Sequence, residues 1–72
     1  MDEHKILENF GINFKHYRNK AKLSQDDVVE MTGFSKSYIS NVESAKHNIS
    51  LVNAIKFAEV VDKAIEDMIK DL

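Results

Sequence analysis

The 72-residue sequence contains no proline and only two glycines, Gly11 and Gly33. An all-β chain turns every few residues, and its turns draw heavily on those two residue types. A chain so poor in both is predicted to be all-α, a set of helices joined by short loops. The length supports one domain covering residues 1–72. With no cysteine, neither disulfides nor thiolate metal sites are available. His4, His16 and His47 are not grouped as metal ligands. The sequence has no glycine-rich phosphate loop and no nucleophile–base spacing, so no cofactor and no catalysis are expected. A bundle this small has no room for a deep small-molecule pocket. No apolar run approaches the ~20 residues that cross a bilayer, and the N-terminus lacks a signal-peptide pattern. A cytoplasmic location is therefore expected, by elimination.

Taken whole, the net charge of −2 argues against a nucleic-acid partner. Its distribution is informative. Residues 1–22 are net +2, residues 23–34 net −3, residues 35–48 net +1 and residues 49–72 net −2. A small overall charge can conceal a local basic face.

Hydrophobic spacing predicts five helical segments. The first runs from about Ile6 to Lys22, with Phe10, Phe14 and Tyr17 on one stripe. The second opens at Ser24, an N-cap, with Asp27 placed for a capping box. Its inward residues are Val28, Val29 and Met31, and Gly33 ends it in a left-handed conformation. Ser35 caps the third, which reaches about Ser44 with Ile39 and Val42 inward. The fourth follows Ser50, with Leu51, Ala54, Ile55, Phe57 and Ala58 as its apolar side. The last spans about Asp62 to Lys70.

The outer face of the third helix is unusual. Lys36, Ser37, Ser40, Asn41 and Ser44 share it, at i, i+1, i+4, i+5 and i+8. These residues are polar, mostly short and free of acid, whereas a solvated face normally carries Glu and Lys. Ser and Asn are mediocre helix formers, so a requirement other than helix stability is implied. Two short helices joined by Thr32-Gly33-Phe34 form a helix-turn-helix over about residues 24–44, with the second helix as the reader. Short hydrogen-bonding side chains fit the major groove, where Asn pairs with adenine and Lys donates to guanine.

Residues 10–69 resemble the Cro/CI-type (XRE-like) helix-turn-helix family. The resemblance rests on Phe10-Gly11, Phe14 and Tyr17-Arg18; on Leu23-Ser24-Gln25, Val28-Val29 and Gly33-Phe34-Ser35; on Tyr38 to Glu43; and on Asn48 with Ser50-Leu51. It implies a compact five-helix, lambda-repressor-like domain that binds duplex DNA as a homodimer on a pseudo-palindrome. The expected half-site spacing is about one turn, ~34 Å. Carried over position by position, it implies base reading by Lys36, Ser37 and Asn41, with Tyr38 and Ser40 at their edge. Phosphate contacts fall to Gln25, Ser35, Ser44, Lys46, His47 and Asn48. Arg18 and Glu43 match a structural ion pair. Asp26, Asp27 and Glu30 suit capping and solubility, or else an RNA polymerase contact. Ile65, Met68, Ile69 and Leu72 either close the core or form a dimer interface, and the extreme C-terminal position favours the interface. The Asn48 to Leu51 stretch resembles the controller proteins of restriction–modification systems. A protein-interaction module such as an antitoxin is the alternative function.

The sequence also departs from the family pattern. Lys22 and Ala45 stand where glycines are usual, Val29 replaces a small residue, and Ile49 replaces a proline. Asp62 and Ala64 replace the Gly and Ser that commonly separate the last two helices. Those helices are therefore expected to run together or to meet differently.

Overall fold

A computed structural model describes residues 2–71. Its helices are α1 (Glu3–Lys20), α2 (Gln25–Thr32), α3 (Lys36–Glu43), α4 (Leu51–Val60) and α5 (Ile65–Met68). Among the described residues there is no strand.

Helix α1 starts three residues before the position expected from hydrophobic spacing. Asp2 is its N-cap, accepting from the His4 backbone N–H at 3.0 Å, and Glu3 complements the dipole in the first turn. A hydrophobic stripe does not register such a polar first turn. Ser24, Ser35 and Ser50 cap α2, α3 and α4. The Ser24–Asp27 capping box is complete: Asp27 N–H donates to Ser24 Oγ at 3.0 Å and Ser24 N–H donates to Asp27 Oδ2 at 2.8 Å.

Phe57 of α4 is the hub of the core. Its ring meets Phe14 edge-on at 4.8 Å and Phe10 at 6.0 Å, and lies tilted against Phe34 at 5.1 Å. Val28, Ile39, Val42, Ala54, Ala58, Val61 and Met68 complete the buried apolar cluster. Gly11 lets α1 approach α3. A Cβ there would lie 2.6 Å from the backbone oxygens of both Val42 and Glu43. Met31, expected inward, is instead 56% exposed, because the side of α2 that Val28 occupies already fills the core.

The positions that lack the family's glycines keep the backbone that glycine would favour. Lys22, Ala45 and Asp62 have φ of 61°, 59° and 56°. Each follows a helix and closes the same pair of hydrogen bonds. After α1, Lys22 N–H reaches Asn19 O and Leu23 N–H reaches Arg18 O. After α3, Ala45 and Lys46 reach Val42 and Asn41; after α4, Asp62 and Lys63 reach Glu59 and Ala58. These are Schellman closures, which satisfy the last helical carbonyls. Helices α4 and α5 therefore do not run together. The fifth segment is also shorter than expected, four residues rather than about Asp62 to Lys70.

Candidate nucleic-acid interface

Helix α3 is anchored by Ile39 and Val42, both buried, so its other side faces solvent. Lys36, Ser37 and Ser40 are exposed there, and Asn41 is half-buried beside them. Ser35 uses its oxygen as the helix cap, accepting from Tyr38 N–H at 3.1 Å, and keeps its own hydroxyl hydrogen to donate. Lys36 Nζ lies 3.2 Å from Asp26 Oδ1 across the α2–α3 turn, with both side chains well exposed. Such a surface pair is weak and yields readily to a better acceptor.

Tyr38 stands apart from the other residues of the reading set. Its ring packs against Phe34 at 5.1 Å, Phe57 at 6.0 Å and His47 at 6.0 Å. Its hydroxyl oxygen accepts from Asn53 Nδ2 at 3.0 Å. The ring thus joins α3 to α4 and steadies the loop through His47. Ser44, Lys46, His47 and Asn48 are all exposed, and they continue the polar surface past the C-terminal end of α3.

The Arg18–Glu43 pair is formed and buried. Arg18 Nε donates to Glu43 Oε2 at 2.7 Å and Arg18 Nη2 donates to Oε1 at 3.1 Å, a bidentate fork. The two side chains are 9% and 5% exposed. Arg18 Nη1 also donates to Leu23 O at 2.9 Å, and Gln25 Nε2 donates to Glu43 Oε1 at 3.1 Å. One cluster therefore fixes the end of α1, the start of α2 and the end of α3. The link from Gln25 into it is not legible in the sequence, where Gln25 and Glu43 lie eighteen positions apart.

The acidic side of α2 divides by role. Asp27 is held in the capping box, and the Ser24 backbone N–H, followed by the Ser24 hydroxyl, lowers its pKa below the ordinary value. Asp26 faces Lys36, while Glu30 is exposed.

The C-terminal apolar set is split by the fold. Met68, assigned to the interface by its place near the C-terminus with core closure as the alternative, is fully buried against the core. Spacing of three and four marks a shared stripe, and in the single turn of α5 the middle of that stripe, Met68, turns into the core. Ile65 and Ile69 are 37% and 39% exposed. Leu72 lies outside the described residues. A larger exposed apolar surface sits on α4, where Leu51 is 70%, Val52 62% and Ile55 44% exposed. Leu51 and Ile55, expected inward, are thus corrected to the surface. The signal was present in the sequence: α4 has apolar residues on more sides than one buried face requires.

The comparisons match this architecture. The helix-turn-helix family model matches residues 14–68. The chain belongs to the Cro/CI-type (XRE-like) helix-turn-helix family. It is similar to the control protein C.SmaI of Serratia marcescens, with 30% identity over 64 residues, 89% of this chain and 76% of that one. It is also 30% identical over 68 residues to the control protein C.MunI of a Mycoplasma species, covering 93% and 92% of the two chains. The crystal structure of the restriction–modification controller protein C.AhdI from Aeromonas hydrophila superposes with a TM-score of 0.79 at 32% identity, over 86% of this chain and 94% of that one. The hypothetical transcription factor NHTF from Neisseria gives 0.85 at 26% identity, over 97% and 80%. Members of the family are DNA-binding transcription regulators and not enzymes. No helix among the described residues is long and apolar enough to cross a membrane.

Proposed function

We propose that this chain is a sequence-specific regulator that binds a pseudo-palindromic operator as a homodimer, acting as a restriction–modification controller protein. The observation that carries the reading is the outer face of α3, polar and short-chained, exposed beside the capped start of α2. Lys36 and Asn41 read base edges, with Ser37 and Ser40 alongside, and Tyr38 positions the helix. Gln25, Ser35, Ser44, Lys46, His47 and Asn48 contact the phosphate backbone and set the register.

Dimerisation follows from reach. An eight-residue helix is only about 12 Å long and meets a few base pairs. A second copy, one turn away on the same side of the duplex, doubles the sequence read. Leu51, Val52, Ile55, Ile65 and Ile69 supply apolar surface for that contact, in place of the buried Met68. The acidic side of α2 suits a contact to RNA polymerase through Asp26 and Glu30, with Asp27 occupied by its cap. Neutralising Asp26 and Glu30 should then lower transcription at a promoter whose occupancy is unchanged, and unaltered transcription would remove this role.

Selection of bound duplexes from a random pool tests the reading directly. A palindrome with half-sites about one turn apart is expected. Asn41→Ala should then cost ~1–3 kcal/mol and relax preference at one base pair, measured by titrating single-base variants of the selected site. Uniform weakening across all sequences would show that Asn41 is not a reader. Light scattering that gives only the monomer mass at high concentration would refute the homodimer.

A further inference from the structure

Gln25, the first residue of α2, is half-buried against the cluster formed by Arg18 and Glu43. Its Nε2 donates to Glu43 Oε1 at 3.1 Å, and the same oxygen accepts from Arg18 Nη2 at 3.1 Å. Glu43 Oε2 accepts from Arg18 Nε at 2.7 Å, so the carboxylate is fixed on both oxygens. Arg18 is fixed in turn by Leu23 O at 2.9 Å.

An ionised carboxylate accepts hydrogen bonds and donates none, whereas a glutamine amide can present either nitrogen or oxygen to a neighbour. Against Glu43 only the nitrogen fits. The carboxylate thereby selects one of the two amide orientations and removes rotamer freedom from Gln25 before any ligand arrives. The nitrogen retains a second hydrogen. We propose that Glu43 is a positioning residue for DNA binding: it holds the Gln25 amide so that Nε2 uses one hydrogen on Glu43 and donates the other to a phosphate oxygen.

The proposal rests on the DNA-binding reading above. It also explains how α2 can approach a phosphate with two carboxylates in its first turn. Of these, Asp27 is already engaged by Ser24. A neutral donor already held in place contributes its hydrogen bond with little further ordering cost. The Arg18–Glu43 pair, otherwise only a brace between α1 and α3, thus acts on the interface through one side chain.

The test is a double-mutant cycle of Gln25→Ala and Glu43→Leu, which removes the acceptor and adds no second glutamine. Affinity is measured by fluorescence anisotropy on the selected duplex and on a scrambled one, over a salt series, at a temperature where circular dichroism shows every variant folded. Each single variant should lose roughly three- to tenfold in affinity on both duplexes. The salt slope should not change, since no phosphate-facing charge is removed. The double variant should be no worse than either single one. If Glu43→Leu does not fold beside an unpaired Arg18, Arg18→Met with Glu43→Leu takes its place. An apolar pair commonly replaces a buried ion pair without loss of fold, and net charge is preserved. It should show the same loss.

A purely structural Glu43 would leave the Gln25 amide unaffected, and nuclear magnetic resonance reads that group directly. Gln25 is the sole glutamine of the chain. Its two side-chain amide hydrogens should be well separated and slow to exchange in the wild type, and should take on free-amide behaviour once Glu43 is replaced. Additive losses, a folded Glu43 variant of full affinity, or free-amide behaviour in the wild type would each overturn the proposal. A wild-type chain that selects no duplex at all overturns the DNA-binding reading as well. That failure is separable, because the amide resonances are measured without DNA.

Discussion

The helix-turn-helix segment, residues 24–44, and the C-terminal segment, residues 61–71, are both made of short helices that would not stand alone in water. They are held in different ways. In the first, Ser24 and Ser35 cap their helices from within three residues, and Gly33 adopts φ of 78° to end α2. In the second, Ala64 has no side-chain acceptor, and the Asp67 carboxylate offers only one bond to Ala64 N–H at 3.2 Å. Its stability comes from afar. Met68 is buried in the core, Asn13 Nδ2 donates to Met68 O at 3.0 Å and to Lys70 O at 2.6 Å, and Asn9 Nδ2 donates to Ile69 O at 3.3 Å and to Asp71 Oδ1 at 2.9 Å. One segment is specified by near neighbours along the chain, the other by α1, more than fifty residues away. The difference teaches that α1 acts as the frame for both, through Arg18 on one side and Asn9 and Asn13 on the other.

The largest effect should come from the frame on the reading side. Glu43→Ala leaves Arg18 buried without its counter-ion and should destabilise the chain by ~3–5 kcal/mol, read from thermal or urea unfolding. A loss below about 1 kcal/mol would mean that near-neighbour signals alone hold the helix-turn-helix. Met68→Ala should cost ~2–5 kcal/mol by opening a cavity under α5. Hydrogen exchange should then show residues 65–71 losing protection while α2 and α3 keep theirs. Equal loss in both segments would break the comparison.

A smaller effect of opposite sign is expected at the helix ends. An L-residue in the left-handed region is strained by ~1–2 kcal/mol, partly offset because glycine gains entropy when unfolded. Lys22→Gly and Ala45→Gly should therefore stabilise by up to about 1 kcal/mol in the same unfolding assay. Asp62→Gly should gain less, because aspartate tolerates this backbone better than most residues. A destabilising Lys22→Gly would refute the strain.

The smallest effect separates the two segments by pH and salt. Asp27 and Asp67 both have lowered pKa values. A folded pKa below the unfolded one contributes stability that is present above the unfolded value and lost as pH falls through the folded one. Both contributions should therefore disappear on acidification below the ordinary aspartate range. The causes differ. The Ser24 backbone N–H dominates at Asp27, while the Lys70 ammonium dominates at Asp67. Carboxyl titrations followed by nuclear magnetic resonance should show the Asp67 shift shrinking in 1 M salt and the Asp27 shift persisting. Equal salt sensitivity would remove the distinction.

The segments also differ in how far they were legible. Ser24, Gly33 and Ser35 marked the ends of α2 and α3, because caps and left-handed closures depend on residues within one turn. The polar face of α3 was legible for the same reason: Ile39 and Val42 set which side turns inward. Asp62 misled, since the absence of the usual glycine suggested that the last two helices run together or meet differently. The Schellman hydrogen bonds keep the left-handed closure there, as at Lys22 and Ala45, and the residue placed there absorbs the strain.

The sequence by itself determined the helical class, the approximate helix boundaries and the outward polar face of α3, and its family resemblance pointed to the Arg18–Glu43 pair. Only the tertiary structure decided that Met68 is core while Leu51, Val52 and Ile55 are surface, that Asn9 and Asn13 clamp the C-terminal segment, and that Gln25 belongs to the buried cluster. Spacing of three and four residues defines which side chains share a stripe. It does not say whether that stripe meets another helix or water, because that depends on packing between segments far apart in the chain.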